Sequence, residues 1–156
     1  MKLDMHCHTK EGSPDCKLEL LENIELLKQK GFHGMLITDH DSYKAYRYYV
    51  KLPHKPENFV VLKGIEYDTI DAGHMLIVMP SHVKLPILEL RGLPVILLIE
   101  IVHHYGGIIG PAHPCGEKFL SIRSTIRNKI SGNIYQKFDF IEGFNACEDA
   151  DSNMRA

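Results

Sequence analysis

Apolar and polar positions alternate in short blocks along this chain, and the blocks change period as they go. Lys2 to Met5 reads as a first strand, followed by a Gly12-Ser13-Pro14 loop over Thr9 to Asp15. Lys17 to Lys30 reads as a helix, with Leu18, Leu21, Ile24 and Leu27 as its apolar stripe and Gly31 as its stop. Met35 to Thr38 is a short buried strand, and Ser42 to Val50 a short tyrosine-rich helix or turn. Pro53 to Pro56 breaks the chain before the strand Phe59 to Leu62, with Gly64-Ile65-Glu66 at or just past its end. A turn at Asp71 to Gly73 leads into the strand His74 to Met79, closed by Pro80. Ser81 to Pro94 has room for a short helix; Val95 to Tyr105 reads as a mostly buried one, capped by Gly106-Gly107. Ile108-Ile109 is a very short strand feeding Gly110 to Pro114, and Gly116 to Lys137 is a weakly patterned, partly helical connection. Phe138 to Glu142 reads as the last strand, and Cys147 to Ala156 as a polar loop entering a helix.

Strands alternating with helices imply an α/β fold with mostly parallel strands. The polar clusters sit where such a fold concentrates chemistry, after apolar strand runs: His6/His8, Asp39/His40, Glu66, His113, Glu142/Asn145. His74 is the exception, because it opens a strand. His6 and His8, one residue apart on a strand, fall on one face and can chelate together.

Composition narrows the classes. The 156 residues suffice for one domain with a real core, without a linker or internal repeat to divide it. A net charge of -2 argues against a long nucleic acid as partner, although a nucleotide-sized anion remains compatible. The N-terminus has no signal pattern and no apolar run approaches a membrane span, so the cytoplasm is the expected location. Four widely spaced cysteines without a Cys-x-x-Cys read as buried free thiols.

Ten histidines are the compositional anomaly. His6, His8, His40, Glu66, His74 and His113, with Asp15 near in the first loop, are too many donors for one tetrahedral ion. They suit two or three divalent ions, zinc, manganese or iron, with magnesium admitted if carboxylates dominate. Glu66 is the natural bridge between them. Each residue alone has a plainer reading: His40 as a hydrogen-bonded core histidine, Glu66 as the partner of a lysine, His113 as support for a turn. Their joint placement at strand ends favours the metal. His33, His54, His82, His103 and His104 lack that placement and read as structural or solvated. Tyr43, Tyr46, Tyr48 and Tyr49 read as packing, with one pocket wall as the alternative. Lys10, Lys63, Arg91 and Arg123 are candidate phosphate contacts.

Taken together, His6-Cys7-His8-Thr9, Ile37-Thr38-Asp39-His40-Asp41, Gly64-Ile65-Glu66, Gly73-His74 and Ala112-His113-Pro114 resemble, in order, the motifs of the PHP (polymerase and histidinol phosphatase) family. The resemblance implies a distorted (β/α)7 barrel of the TIM-like kind with a two- or three-metal site at its mouth. It makes His6, His8, His40, Glu66, His74 and His113 metal ligands, and implies phosphoester hydrolysis by a metal-held hydroxide. Asp15 and Asp39 are then candidate acids for the leaving group, with Asp39 on the substrate side or behind the ligands. A small phosphorylated substrate is expected, with Ser42 to Glu57 and Gly116 to Asn133 as the loops that choose it. Many relatives carry an aspartate where Ser13 stands, and Asp15 is the candidate substitute. The family's closing Asp-x-His motif is absent from residues 1–156. The expectation is therefore a single PHP domain lacking its last one or two strands, with self-association through the open edge. A metal-binding module without catalysis, and a nuclease or proofreading domain, are the competing readings.

Overall fold

The computed structural model describes residues 1–123 and 133–156. Five strands form one curled sheet in the order β1 (Leu3–Cys7), β2 (Gly34–Ile37), β3 (Val60–Asp68), β4 (His74–Val78), β5 (Ile108–Pro111). Four helices are present among the described residues: α1 (Leu20–Gln29), α2 (Lys44–Lys51), α3 (Val95–His104) and α4 (Ala150–Arg155). Short 3-10 turns occupy Pro86–Glu89 and Ile134–Lys137.

This is half of a barrel, and it corrects the expected (β/α)7 architecture. β1, β2 and β3 are parallel, but β3–β4 and β4–β5 are antiparallel. The physical reason lies in the connection from β3 to β4. Residues 69–73 are too few for a crossover, which needs a dozen or more, so the chain must turn back on itself. Thr69 closes that turn: its N–H and hydroxyl both donate to the Gly73 carbonyl, at 3.1 and 2.6 Å. Reversing β4 alone brings its first residue to the end of the sheet where β1, β2, β3 and β5 finish. That is why His74 opens a strand and still reaches the other clusters.

The convex face of the sheet carries the packing. Met35, Ile37 and Cys7 meet Leu20, Ile24 and Leu27 of α1 and Ala45 and Tyr46 of α2. Ile65, Tyr67, Met75, Ile77 and Ile109 meet Leu98, Ile99 and Val102 of α3. The buried stripe of α1 is set by Leu20, while Leu18 and Leu21 are largely exposed, so the phase differs from the expected one. The Glu22 carboxylate, which accepts from the Glu19 N–H at 3.1 Å, fixes where the helix starts. Asp71 Oδ1 accepts from Val95 N at 2.9 Å and anchors the start of α3.

The segment Phe138 to Glu142, expected as a strand, runs beside β5 without forming a ladder. Asp139 N donates to Ile109 O at 2.9 Å and Glu142 N to Pro111 O at 3.4 Å. The expected helical stretch in Gly116 to Lys137 and one of the two substrate loops fall partly on residues 124–132, outside the described residues. Among the four cysteines, only Cys7 and Cys115 are buried; Cys16 is half-buried and Cys147 exposed. No helix among the described residues is long and apolar enough to cross a membrane.

Gly64 lies on the concave face, where its bare Cα lets β2 and β3 pack closely. A Cβ there would sit 2.6 Å from Leu36 Cδ1 and 2.9 Å from the Ile37 carbonyl oxygen. Gly64→Ala should cost about 1–3 kcal/mol, because backbone as well as side chain must move. Urea unfolding of the two proteins measures it, and an unchanged midpoint would mean that the sheet yields freely.

Candidate metal centre

Each strand end delivers one part of the site. A bulge between Asp4 and Cys7 breaks the register of β1 against β2, and Asp4 Oδ1 accepts from His6 N at 3.2 Å. His6 and His8 then both face the concave side. His40 follows β2 and forms an isolated bridge with Glu66 of β3. His74 starts β4, and His113 follows β5 with a left-handed backbone (φ 29°). Its N–H donates to Glu142 Oε2, an interaction that holds the peptide in this uncommon conformation.

Glu66 is the hub, only 1% exposed. Its Oε2 lies 3.1 Å from His6 Nε2, 2.8 Å from His8 Nε2 and 3.5 Å from His40 Nδ1. Its Oε1 lies 2.9 Å from His113 Nε2 and 3.0 Å from His74 Nδ1. Asp15 extends the cluster outward, with Oδ2 at 3.1 Å from His8 Nδ1 and 3.4 Å from His40 Nε2. The structure therefore brings together all six residues expected as ligands, together with Asp15.

The donor set fits divalent ions better than it fits hydrogen bonds alone. A carboxylate offers roughly four lone-pair sites, and five imidazoles crowd this one. His6 Nε2 and His8 Nε2 are also 3.3 Å apart, a pairing in which a neutral imidazole can supply only one proton. The His74 Nδ1 contact is short but too poorly aligned to be a hydrogen bond, and His113 Nδ1 is buried without a partner. Nitrogen and oxygen ligands about 2.1 Å from one ion at tetrahedral or octahedral angles stand roughly 3.0–3.4 Å apart. The His6/His8/Glu66 triad comes near that spacing, at 2.8–3.3 Å, and in His8/Asp15/His40 and His40/Glu66/His74 the donor atoms lie within 4.8 Å of one another. They share His8, His40 and Glu66, so they are overlapping options and not three separate sites.

The charge balance points the same way. Burial opposes a charge on His6, yet its hydrogen bonds to the Glu142 and Glu66 carboxylates outweigh it and raise the imidazole to about 10. His8 is also raised: burial lowers it, and Glu66 and Asp15 more than compensate. His40 is lowered, by burial first and by its neighbours His8 and His74, against the pull of Glu66. Burial would raise Glu66, but its imidazole partners hold it well below the usual carboxylate range. A pocket that retains a proton this firmly is one that calls for positive charge.

Two residues carry the site from behind. Glu142 Oε1 is 2.9 Å from His6 Nδ1, and Asn145 Nδ2 donates to the same carboxylate at 3.3 Å. Glu142 stood in the sequence among the strand-end polar residues, but nothing in its spacing separated a ligand from a carboxylate that orients one. Asp39 is fully buried beneath the first loop. It accepts from Thr9 N at 2.6 Å and from Thr9 Oγ1 at 2.9 Å, and a Cβ on Gly12 would overlap it. It does not line the cavity, whereas Asp15 does. Burial raises the Asp39 carboxyl against the Thr9 hydrogen bonds.

The cavity of about 920 Å³ is lined by the cluster and by apolar residues that include Leu36, Leu76, Val78, Ile108 and Phe140. Phe119 stands on the rim with its ring 5.4 Å from that of His113. None of Lys10, Lys63, Arg91 and Arg123 lines this space. Lys10 pairs with Glu19 at 2.8 Å and Arg91 with Asp68 at 3.6 Å, while Lys63 donates to Val83 O on the convex side.

No family model matches the chain, and none of the curated proteins does. Solved structures do match. Endonuclease Q, in complex with a duplex substrate carrying an abasic lesion at the active site, aligns with a TM-score of 0.65 at 16% identity, over 89% of this chain and 41% of that one. A protein from Bifidobacterium adolescentis assigned as a metal-dependent phosphoesterase aligns with a TM-score of 0.61 at 14% identity, over 99% of this chain and 81% of the other. PsfC from Pseudomonas syringae aligns with a TM-score of 0.50 at 13% identity, over 70% of this chain and 55% of PsfC. The fold is one that these proteins share. The chain spans less than half the length of endonuclease Q.

Two outcomes are expected. An imidazolium has no lone pair to give, so below pH about 10 an ion must displace the His6 proton, and apparent affinity should climb about tenfold per pH unit for that one group. Competition with a chelating dye at several pH values reads the slope, and a flat profile would remove His6 from the ligand set. Glu142→Gln should weaken metal binding about 10–100-fold with the fold retained, because it loosens His6 and the His113 peptide together. Elemental analysis alongside circular dichroism measures both.

Proposed function

We propose that this chain is a metal-dependent phosphoester hydrolase of the PHP type. The observation that carries this reading is the buried Glu66 carboxylate of β3 with five imidazoles converging on it from the ends of the other four strands. His6, His8, His40, Glu66, His74 and His113 would hold two or three divalent ions. Ions bound there supply charge against phosphoryl oxygens and acidify water toward a pKa of about 7. Likeness to a metal-dependent phosphoesterase and to an endonuclease supports the reaction class and leaves the ester open.

The chain's own groups then do three things. Glu142 holds the His6 ring through Nδ1 and so directs Nε2 at the hub. Asp15, half-exposed at the rim, is the acid placed to hand a proton to a leaving alkoxide. Asp39 acts as a brace for the Thr9–Ser13 loop, being sealed from the cavity.

Metal content of the purified protein, followed by hydrolysis of p-nitrophenyl phosphate and its bis-ester, tests the proposal. About two or three transition-metal ions per chain and turnover abolished by chelation are expected. His40→Ala should lower turnover by about two or more orders of magnitude with the fold unchanged. Full metal occupancy without turnover of either ester would leave a metal-binding module in place of an enzyme.

A further inference from the structure

The net charge of -2 conceals a segregation of charge. Between Asp41 and Glu57 the chain has no acidic residue, and it carries Lys44, Arg47, Lys51 and Lys55 together with His54. The structure arranges this stretch on one side. Lys44, Arg47, Tyr48 and Lys51 stand at i, i+3, i+4 and i+7 of α2, all four exposed, while Ala45 and Tyr46 are buried against the sheet. Lys84, exposed in the next loop, adds to the same field: it acts on Lys63, as Arg47 and Glu89 do.

Helix stability accounts for Lys51, which stands in the last turn where the dipole favours a cation, but not for Lys44. Lys44 occupies the first turn of α2, where the helix dipole disfavours a cation, and no acidic residue offsets it. Nor does local pairing account for the pattern. Arg47 is bound to Glu89 Oε2 at 2.7 Å and Lys55 reaches the Val50 carbonyl, but neither Lys44 nor Lys51 has an acidic partner among the described residues. The buried face of α2, Ala45 and Tyr46, is consumed in the core, and its exposed positions are Lys44, Arg47, Tyr48, Val50 and Lys51. Tyr48 is 43% exposed and lies between the two unpaired lysines, which are about 10 Å apart along the helix.

We propose that the outer face of α2 is a docking surface for single-stranded nucleic acid. Lys44 and Lys51 contact successive stretches of phosphodiester backbone, and Tyr48 stacks on a base between them. Alternating cations and exposed aromatic rings are what such strands bind without sequence preference. The surface is independent of the metal centre, so it stands or falls apart from the hydrolase reading.

The test is fluorescence anisotropy of a labelled oligothymidylate of about twelve nucleotides, with the protein held in chelator so that binding is read without turnover. Binding should weaken steeply between about 50 and 200 mM salt. Lys44→Ala with Lys51→Ala should flatten the plot of log affinity against log salt by about 1.4, roughly 0.7 for each lost phosphate contact. Tyr48→Ala should weaken binding about tenfold, with an unchanged thermal melt showing that the fold is intact. An unaltered salt slope in the lysine variant would overturn the proposal. So would inorganic polyphosphate competing as well as the oligonucleotide while Tyr48→Ala has no effect, which would mark a general anion surface. Tighter binding to phosphatidylserine vesicles than to the oligonucleotide would overturn it in favour of a membrane surface.

Discussion

A carboxylate buried among five imidazoles sets the terms for the rest of this structure. Glu66 is almost wholly removed from water, and an ionised carboxylate in that position is costly unless positive charge or several donors face it. The chain answers by aiming a side chain from each strand end at the same point. That demand explains features that are otherwise odd: the bulge in β1, the left-handed backbone at His113 and the carboxylate of Glu142 reaching across to both. Each departs from regular geometry, and each serves to aim a nitrogen.

Much of the site could be read in the sequence because its residues are ordered by a simple rule. A polar residue that closes an apolar run sits at a strand end, and strand ends in a curled sheet converge. The rule located His6, His8, His40, Glu66 and His113. It failed to explain His74, since periodicity shows that a stretch is a strand and is silent on its direction. The connection before His74 is too short for a crossover only because β3 runs on to Asp68, well past the Leu62 at which the apolar pattern ended it. That extension of β3 is what replaces the expected barrel of parallel strands with a sheet containing a hairpin. Leu18 and Leu21 were assigned to the buried stripe of α1 by spacing alone, although Leu20 fits a stripe with Ile24 and Leu27 equally well. Only the capping by Glu22 distinguishes the two phases.

The tyrosine-rich stretch shows a different gap. Its four tyrosines share no single role: Tyr43 and Tyr46 pack inward, Tyr49 lies at the boundary and Tyr48 faces outward with the lysines. Total charge averages away what a helical projection separates. The convex side of this protein is therefore not uniform, since most of it is covered by helices joined to the core and one strip of α2 is left strongly basic.

The Phe138 to Glu142 segment lies beside β5 on two backbone hydrogen bonds, whereas β3 and β4 share a full ladder. Yet its last residue steadies both His6 and His113, which approach Glu66 from different sides. A segment outside the ladder thus acts as a clasp on the buried cluster. Lifting that one segment would slacken two nitrogens at once with the sheet still intact, so an ion held there would be exchanged by a local opening far smaller than unfolding. The lifetime of a loaded centre becomes a property of a peptide edge and not of the ligands alone.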